Sequence, residues 1–415
     1  MAKADAYQTN QSSISGQGSR SVVGLALGMA ALFFAIVAIL INTPILFYMG
    51  TALIATIGAS RLQAWLSVRG LRFRREIPDA VKVGEPVTIS ISVWSERKLR
   101  RPLITVLDTL PTRLVYKDKT ISTPIAPAFD IPIRTQYRFT PLRRGVYRWN
   151  GIEAVGTDAL GLVVMSKVYD TDAVELTVLP RPIPLNIDLP VARGWGISEA
   201  ESGQSRGAGM EPRGVREYAS GDSLRHIHWS STAKRGQLLV KEFEAGSHTA
   251  ASIVFQQTQG SELGKGAETT LERMCGNAVY LAEHLMTQGA LVQFPTLEGR
   301  PTRTSGAERV NEIYEMLARV QSDRNSSLSS DLFDNMRLLP AGSILIVMLS
   351  IADPGLQGIV RQLRGLGIQV VAILYEEAGA KLPSGAQAAV DQRYMDELES
   401  SGAIVRIADK GGDAL

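Results

Sequence analysis

The sequence predicts a multidomain protein of α and β structure: a transmembrane helical hairpin, an antiparallel β-sandwich, then an α/β domain with a mostly parallel sheet. Three patterns predict it. No charged residue occurs between Arg20 and Arg61. Beyond Glu76, apolar and polar residues alternate with a two-residue period, and from about Ala250 short apolar runs alternate with amphipathic stretches of helical period. With 415 residues, 45% of them hydrophobic, the chain is long enough for each part to bury a core. The expected divisions are a tail over 1–20, the hairpin over 21–60 and a basic juxtamembrane segment over 61–75. The sandwich follows over 76–184, a segment dense in polar motifs over 185–249 and the α/β domain over 250–411.

The forty uncharged residues between Arg20 and Arg61 would make a helix of about 60 Å, twice the ~30 Å hydrocarbon core of a bilayer, so they read as two spans. The first runs from about Ser21 to Ile41 and the turn is Asn42-Thr43-Pro44. The second runs from about Ile45 to Ala59, with Leu62, Trp65 and Leu66 carrying it into the interface. Gly24 and Gly28, and opposite them Thr51, Ala55 and Ala59, recur every fourth residue, a spacing that lets two helix backbones approach closely. Arg61, Arg69, Arg72, Arg74 and Arg75 follow the second span with no acid among them, and Arg20 precedes the first. These cations place both termini on the cytoplasmic side and against anionic headgroups. Of the net charge of +3, residues 1–60 carry +1 and the five arginines of 61–75 carry +5, which leaves −3 on the rest. The domains beyond the anchor therefore make no electrostatic case for nucleic acid.

In the β region Val87, Ile89, Ile91 and Val93 point one way and Thr88, Ser90 and Ser92 the other, with Gly84-Glu85-Pro86 and Leu110-Pro111 as turns. Further strands are expected near 103–107, 135–140, 145–149 and 174–178. In the α/β region strands are expected at 252–255, 290–294, 343–349, 368–374 and 404–407, and helices at 268–287, 307–320, 356–366 and 386–400. Cys275 is the single cysteine, so the chain has no internal disulfide and no cysteine cage for zinc, and it suits a reducing compartment. Gly260-Ser261-Glu262-Leu263-Gly264-Lys265-Gly266 resembles a phosphate loop but is one residue short between its glycines. Gly266 stands where a hydroxyl should hold magnesium, so the segment reads as a flexible connection.

The densest polar run is Gly214 to Trp229, continuing through Ala233-Lys234-Arg235 to a strand that ends Val240-Lys241-Glu242-Phe243. Arg216-x-Tyr218-x-x-Gly221-Asp222, then Arg225-x-Ile227-His228-Trp229, then Ala233 and Lys241 resemble the signature of the bacterial family called domain of unknown function 58. His228 stands where that family often carries Asp, a variant associated with its membrane-anchored members. Arg144-Gly145-Val146-Tyr147 and Thr157-Asp158-Ala159-Leu160-Gly161-Leu162 resemble its landmarks in the β region, with Ala159 where Pro is usual. The resemblance implies a membrane-tethered bacterial protein whose C-terminal domain is von Willebrand factor A-like. It implies a role in assembly or maturation beside a MoxR-type AAA+ ATPase and a transglutaminase-like membrane protein. In metal-binding members of that wider fold an Asp-x-Ser-x-Ser loop follows the first strand; here the loop is Gln256-Gln257-Thr258-Gln259-Gly260-Ser261, without the carboxylate a divalent cation favours. Asp353, before Pro354, reads as a helix cap.

Asp222, His226 and His228 could pair as carboxylate and base, or bind a metal from a strand, but the remaining members of such a site are missing nearby. The expected role of the segment is an Arg, Asp and Trp network that locks it onto the next domain, or a docking surface built from Arg216, Tyr218, Gly221, Asp222, Arg225, His226, His228, Trp229 and Lys241. The function expected is a non-enzymatic membrane scaffold or adaptor that binds other proteins and needs no cofactor. The alternatives are a membrane-associated hydrolase or transferase using Asp222, His226 and His228, and a divalent-metal-dependent adhesion domain.

Overall fold

The computed structural model describes residues 16–98, 101, 103–111, 114, 120–186, 212–217, 228–243, 250–298, 307–377 and 379–408. The chain divides into two compact units, Met1–Leu179 and Pro180–Leu415. It is a mixed α and β protein with several sheets, one of them parallel.

The first unit opens with α1 (Gly16–Ile41) and α2 (Pro44–Ser67). Asn42 turns the chain at a φ of 57°, and Pro44 starts α2, where its missing N–H costs nothing. α2 is long and apolar enough to cross a membrane, and only 11% of its most apolar window is buried within the protein. So much exposed apolar surface needs a non-aqueous cover, which points to membrane association. The helices come close at Gly50, where an added Cβ would lie 3.4 Å from Ala31 O and 3.5 Å from Ala35 N. This corrects the every-fourth-residue stripe: Gly28 has nothing within 4 Å, and Thr51, Ala55 and Ala59 are exposed. The inward residues of α2 are instead Leu46, Gly50, Leu53, Ile57, Ser60, Ala64 and Ser67, alternately four and three apart. That is the period of helices packed side by side, and its last three members face protein of a different kind.

α2 continues through Ser67 and a strand begins at Leu71, so helix and strand take up most of residues 61–75. The strands are β1 (Leu71–Glu76), β2 (Ala80–Lys82), β3 (Val87–Ser95), β4 (Ile104–Thr109), β5 (Thr120–Ile125), β6 (Ile133–Phe139), β7 (Gly145–Thr157) and β8 (Val164–Leu179). They form a three-stranded sheet, β1-β3-β6, and a five-stranded one, β2-β8-β7-β4-β5. All pairings are antiparallel except β2 with β8. Ile89, Ile91 and Val93 of one sheet and Val106, Trp149, Ile152 and Val178 of the other belong to one core, so the alternation of β3 buries the face the sequence indicated.

The end of α2 is built into this β structure. Arg101 Nη1 donates to Leu66 O and Ser67 O, both at 3.0 Å, at the carbonyl end of the helix. Tyr169 Oη donates to Val68 O. Gly156 of β7 comes so close that an added Cβ would sit 1.9 Å from Ser67 Oγ.

The second unit contains β9 (Pro212–Glu217), α3 (Trp229–Arg235), β10 (Leu239–Phe243), β11 (Ala250–Phe255), β12 (Gly264–Lys265), β13 (Glu268–Thr269) and α4 (Thr270–Thr287). It continues with β14 (Leu291–Gln293), α5 (Pro295–Glu298), α6 (Ala307–Arg319), α7 (Leu328–Asn335), β15 (Ile344–Leu349), α8 (Leu356–Gly365), β16 (Gln369–Leu374), α9 (Gln392–Ser400) and β17 (Ile404–Ile407). A five-stranded sheet in the order β14-β11-β15-β16-β17 is parallel throughout. Every residue of β15 is buried, the mark of a central strand covered on both faces. Val254, Leu345, Val347, Leu349, Val370 and Ala372 share a core with Leu328 and Leu332 of α7, Val360 and Leu363 of α8 and Leu398 of α9. Residues 260–266, expected to be a flexible connection, instead lead into the β12–β13 hairpin. Its base is closed by Thr270 N to Leu263 O at 2.8 Å and Leu263 N to Thr270 Oγ1 at 2.9 Å.

Candidate functional site

The signature segment is described over β9 and from His228 through β10; Tyr218, Gly221, Asp222, Arg225 and His226 lie outside the described residues. β9 and β10 pair antiparallel, with Arg216 opposite Val240 and Lys241 opposite Val215. His228 is not on a strand. It is the N-cap of α3: its Nδ1 accepts from Ser231 N at 3.1 Å, and its own N–H donates to Leu239 O at 2.8 Å. Thr232 Oγ1 accepts from Leu239 N at 3.0 Å, so α3 is clamped to β10 through both polar groups of Leu239. The ring nitrogen that caps the helix is committed to that hydrogen bond and unavailable to a metal or substrate. Trp229, expected either in a network that locks the segment onto the next domain or on a docking surface, is 68% exposed. Its neighbourhood carries charge in the last turn of α3, from Lys234 and Arg235.

The second candidate is the crevice where an open α/β sheet places its ligands, at the carboxyl ends of the two strands where the order reverses, here β11 and β15. The loop after β11 is Gln256 to Ser261, and the loop after β15 is Ser350 to Pro354. Side chains of the protein fill the space between them. Gln256 Oε1 accepts from Ser350 N at 3.2 Å and from Ile351 N at 3.1 Å, while Nε2 donates to Ile351 O at 3.1 Å. Ser350 Oγ donates to Ser261 O at 2.5 Å. Thr258 Oγ1 and Ser322 Oγ tie the same loop to the chain before α7. Gln257 Nε2 is buried there without a partner.

Asp353 does more than begin one helix. Its carboxylate accepts from Ser329 N at 2.7 Å, Ser329 Oγ at 2.8 Å and Gly355 N at 3.0 Å, so it joins the starts of α7 and α8. Its lone pairs are used within the protein. Among the described residues no three His, Cys, Asp or Glu come together as a metal site would require. The sequence did not single out Gln256 as the bridge between the loops, because an amide's partner 94 residues away leaves no local signal.

The arginines after α2 divide. Arg75 is buried, contrary to its expected place at the headgroups. Its Nη2 lies 2.6 Å from Asp108 Oδ1 and donates to Gly151 O at 2.9 Å. Arg72 pairs with Glu96 at 2.6 Å, and Arg74 lies 3.8 Å from Glu76, so a run without acids along the chain meets acids in space. Arg69 stacks on Trp65, 3.9 Å from the ring centroid, and Arg61 is exposed.

Residues 214–399 match the model of the family described as Protein of unknown function DUF58, which supports the resemblance carried by the signature. No curated protein matches the chain. Among solved structures, the CARDB domain of the PF1109 protein from Pyrococcus furiosus is 18% identical, covering 26% of this chain and 91% of that one, with a TM-score of 0.19. A β-glucosidase from Listeria innocua is 11% identical over 26% of this chain and 16% of its own, with a TM-score of 0.18. The alkylpurine DNA glycosylase AlkC of Pseudomonas fluorescens is 13% identical over 31% of this chain and 38% of its own, also with a TM-score of 0.18. Likeness at this level defines neither a fold nor an activity for this chain.

Proposed function

We propose that the protein is a membrane-anchored scaffold or adaptor, held by a two-span hairpin with both termini in the bacterial cytoplasm. Its β-sandwich and its von Willebrand factor A-like domain bind other proteins. The observation that carries the reading is the state of the sheet crevice. The place where this architecture would bind a ligand is closed by Gln256, Ser350 and Ser261, and Asp353 is spent on two helix starts. Trp229 stands exposed on the signature helix, and aromatic anchors of that kind dominate protein interfaces. Arg20 in the first turns of α1 and Arg61 and Arg69 on the far side of the apolar block support the cytoplasmic orientation.

The partner proposed is a MoxR-type AAA+ ATPase, with a transglutaminase-like membrane protein in the same assembly. The test is binding of a purified MoxR-type ATPase to the full chain in lipid nanodiscs. Trp229→Ala should weaken binding about tenfold or more, the scale of an interface anchor, while unfolding shifts by no more than about 0.5 kcal/mol, as for an exposed site. Absence of binding by the unaltered chain would refute this partner. Equal binding by both forms would remove Trp229 from the interface.

A further inference from the structure

From Ala159 in the loop joining β7 to β8 through Met165 at the start of β8, the chain carries no charge. Leu160 at its tip is 65% exposed. A single exposed leucine is ordinary; what sets this one apart is how the turn beneath it is wired and where it stands.

Asp158 uses its carboxylate on the turn itself. Oδ2 accepts from Leu160 N at 3.1 Å and Oδ1 from Val163 N at 2.8 Å. Asp158 N donates to Val163 O at 3.3 Å, and Gly161 N to Asp158 O at 3.1 Å. Ala159 N donates outward, to Gln63 Oε1 of α2 at 3.2 Å, and the Ser60 side chain bonds the Asp158 carboxylate. The N–H groups of residues 158–161 and 163 are thus paired within the protein, which lowers the cost of leaving water.

The two contacts to α2 also fix its depth. Gln63 lies nineteen residues beyond Pro44. At 1.5 Å per residue that is about 29 Å along the axis, or about 27 Å across a bilayer at a common tilt of ~20°. With Pro44 at the near edge of a ~30 Å hydrocarbon core, the far edge is level with Gln63 and the tip bonded to it. Leu62 beside it is exposed, and Trp65, with Arg69 stacked on its ring, occupies the position of an interfacial aromatic.

We propose that the β7–β8 tip is a second membrane contact, with Leu160 inserted at the boundary between headgroups and acyl chains next to α2. The β structure is then held against the bilayer at two points, which restricts its rotation about the helix axis. This rests on the membrane-anchored reading above, and the test separates the two.

The full chain, with Cys275→Ala to leave one labelling site, carries an environment-sensitive fluorophore at Leu160→Cys or, as a reference, at Ile54→Cys within α2. Each form is placed in nanodiscs of phosphatidylethanolamine and phosphatidylglycerol containing lipids with a nitroxide either at the headgroup or at carbon 12 of the acyl chain. The label at residue 160 should be quenched at least twofold more by the headgroup nitroxide than by the deep one, and the label at residue 54 in the reverse order. Quenching at residue 54 with none at residue 160 would leave the anchor intact and overturn the second contact. Absence of quenching at both positions would overturn the anchor and this proposal with it. Loss of folding from Cys275→Ala is excluded by comparing the unfolding of the unlabelled variant with that of the unaltered chain; if it does unfold, Cys275→Ser or the buried native thiol, blocked from labelling by folding, serves instead.

Discussion

Arg75 and Asp108 form a buried ion pair inside the β structure, Nη2 to Oδ1 at 2.6 Å with both side chains at 1% exposure or less. Nε bonds the second carboxylate oxygen at 3.2 Å, and Tyr137 Oη donates to that oxygen at 2.6 Å. Charge removed from water is tolerated here because nearly every lone pair and proton is matched. Asp108→Ala should cost about 3–5 kcal/mol, since it strands a buried guanidinium. Arg75→Met with Asp108→Leu should cost clearly less than the two single changes added together. Denaturant unfolding of the full chain in detergent measures both. Additive losses would mean the pair has little mutual coupling.

Gly156 and Ser67 set the seat of α2 on β7. A methyl group at residue 156 would overlap Ser67 Oγ at 1.9 Å and crowd Val68 Cγ1 at 2.9 Å. Gly156→Ala should therefore destabilise the first unit by about 1–3 kcal/mol, the usual cost of overpacking. Adding Ser67→Gly should recover part of the loss by removing the nearer obstacle, even though glycine is a poor helix residue. A double-mutant cycle on the unfolding midpoint tests it, and zero coupling would show that the backbones part rather than clash.

Burial raises the phenol pKa of Tyr375 and also that of Tyr394 above the ordinary value, with Arg273 opposing the shift at Tyr375. In the unfolded chain these groups ionise near ~10. Above that pH the unfolded state has released protons that the folded state still holds, so stability falls as pH rises; below it the groups make no difference. Unfolding free energy should be insensitive to these tyrosines up to pH ~9 and decline beyond ~10 by about 1.4 kcal/mol per pH unit for each. Tyr375→Phe removes the hydrogen bond from Tyr375 Oη to Asn277 Oδ1 at 2.9 Å. It should lower stability at neutral pH by about 1 kcal/mol and make the alkaline decline shallower.

Periodicity carried the second unit well. The strands at 344–349, 369–374 and 404–407 lie where short apolar runs are bounded by amphipathic helices, because a covered parallel sheet writes its burial directly into consecutive residues. β1, β2 and β5 were not legible. Leu71–Glu76 reads as basic, yet Arg75 turns inward to an acid 33 residues away, and only the paired sheet reveals it. The helix seam failed for a related reason: small residues at Gly28 and Ala55 fit a familiar spacing, but which stripe faces inward is decided jointly by α1 and by the β structure that receives Ser60, Ala64 and Ser67. At the crevice the sequence indicated the missing carboxylate but not the amide that bridges the loops.

Gln256 is that bridge, and its two ends have different duties. Oε1 holds Ser350 N and Ile351 N, and Nε2 holds Ile351 O. Gln256→Ala should cost about 2–4 kcal/mol, because buried backbone groups lose their partners with no water to replace them. Gln256→Glu keeps an acceptor for both N–H groups but sets a carboxylate against the Ile351 carbonyl. Burial and that carbonyl favour the protonated acid, so its folded pKa should lie above the unfolded ~4.3. The Glu variant should then approach the unaltered protein in stability as pH falls toward ~4 and lose ground as pH rises through its folded pKa, because only the protonated acid can donate to Ile351 O. Thermal unfolding between pH 4 and 8, with the variant always compared with the unaltered chain at the same pH, reads the difference. A gap that does not change with pH would show that the side chain has swung out of the crevice and that the two loops are held together without it.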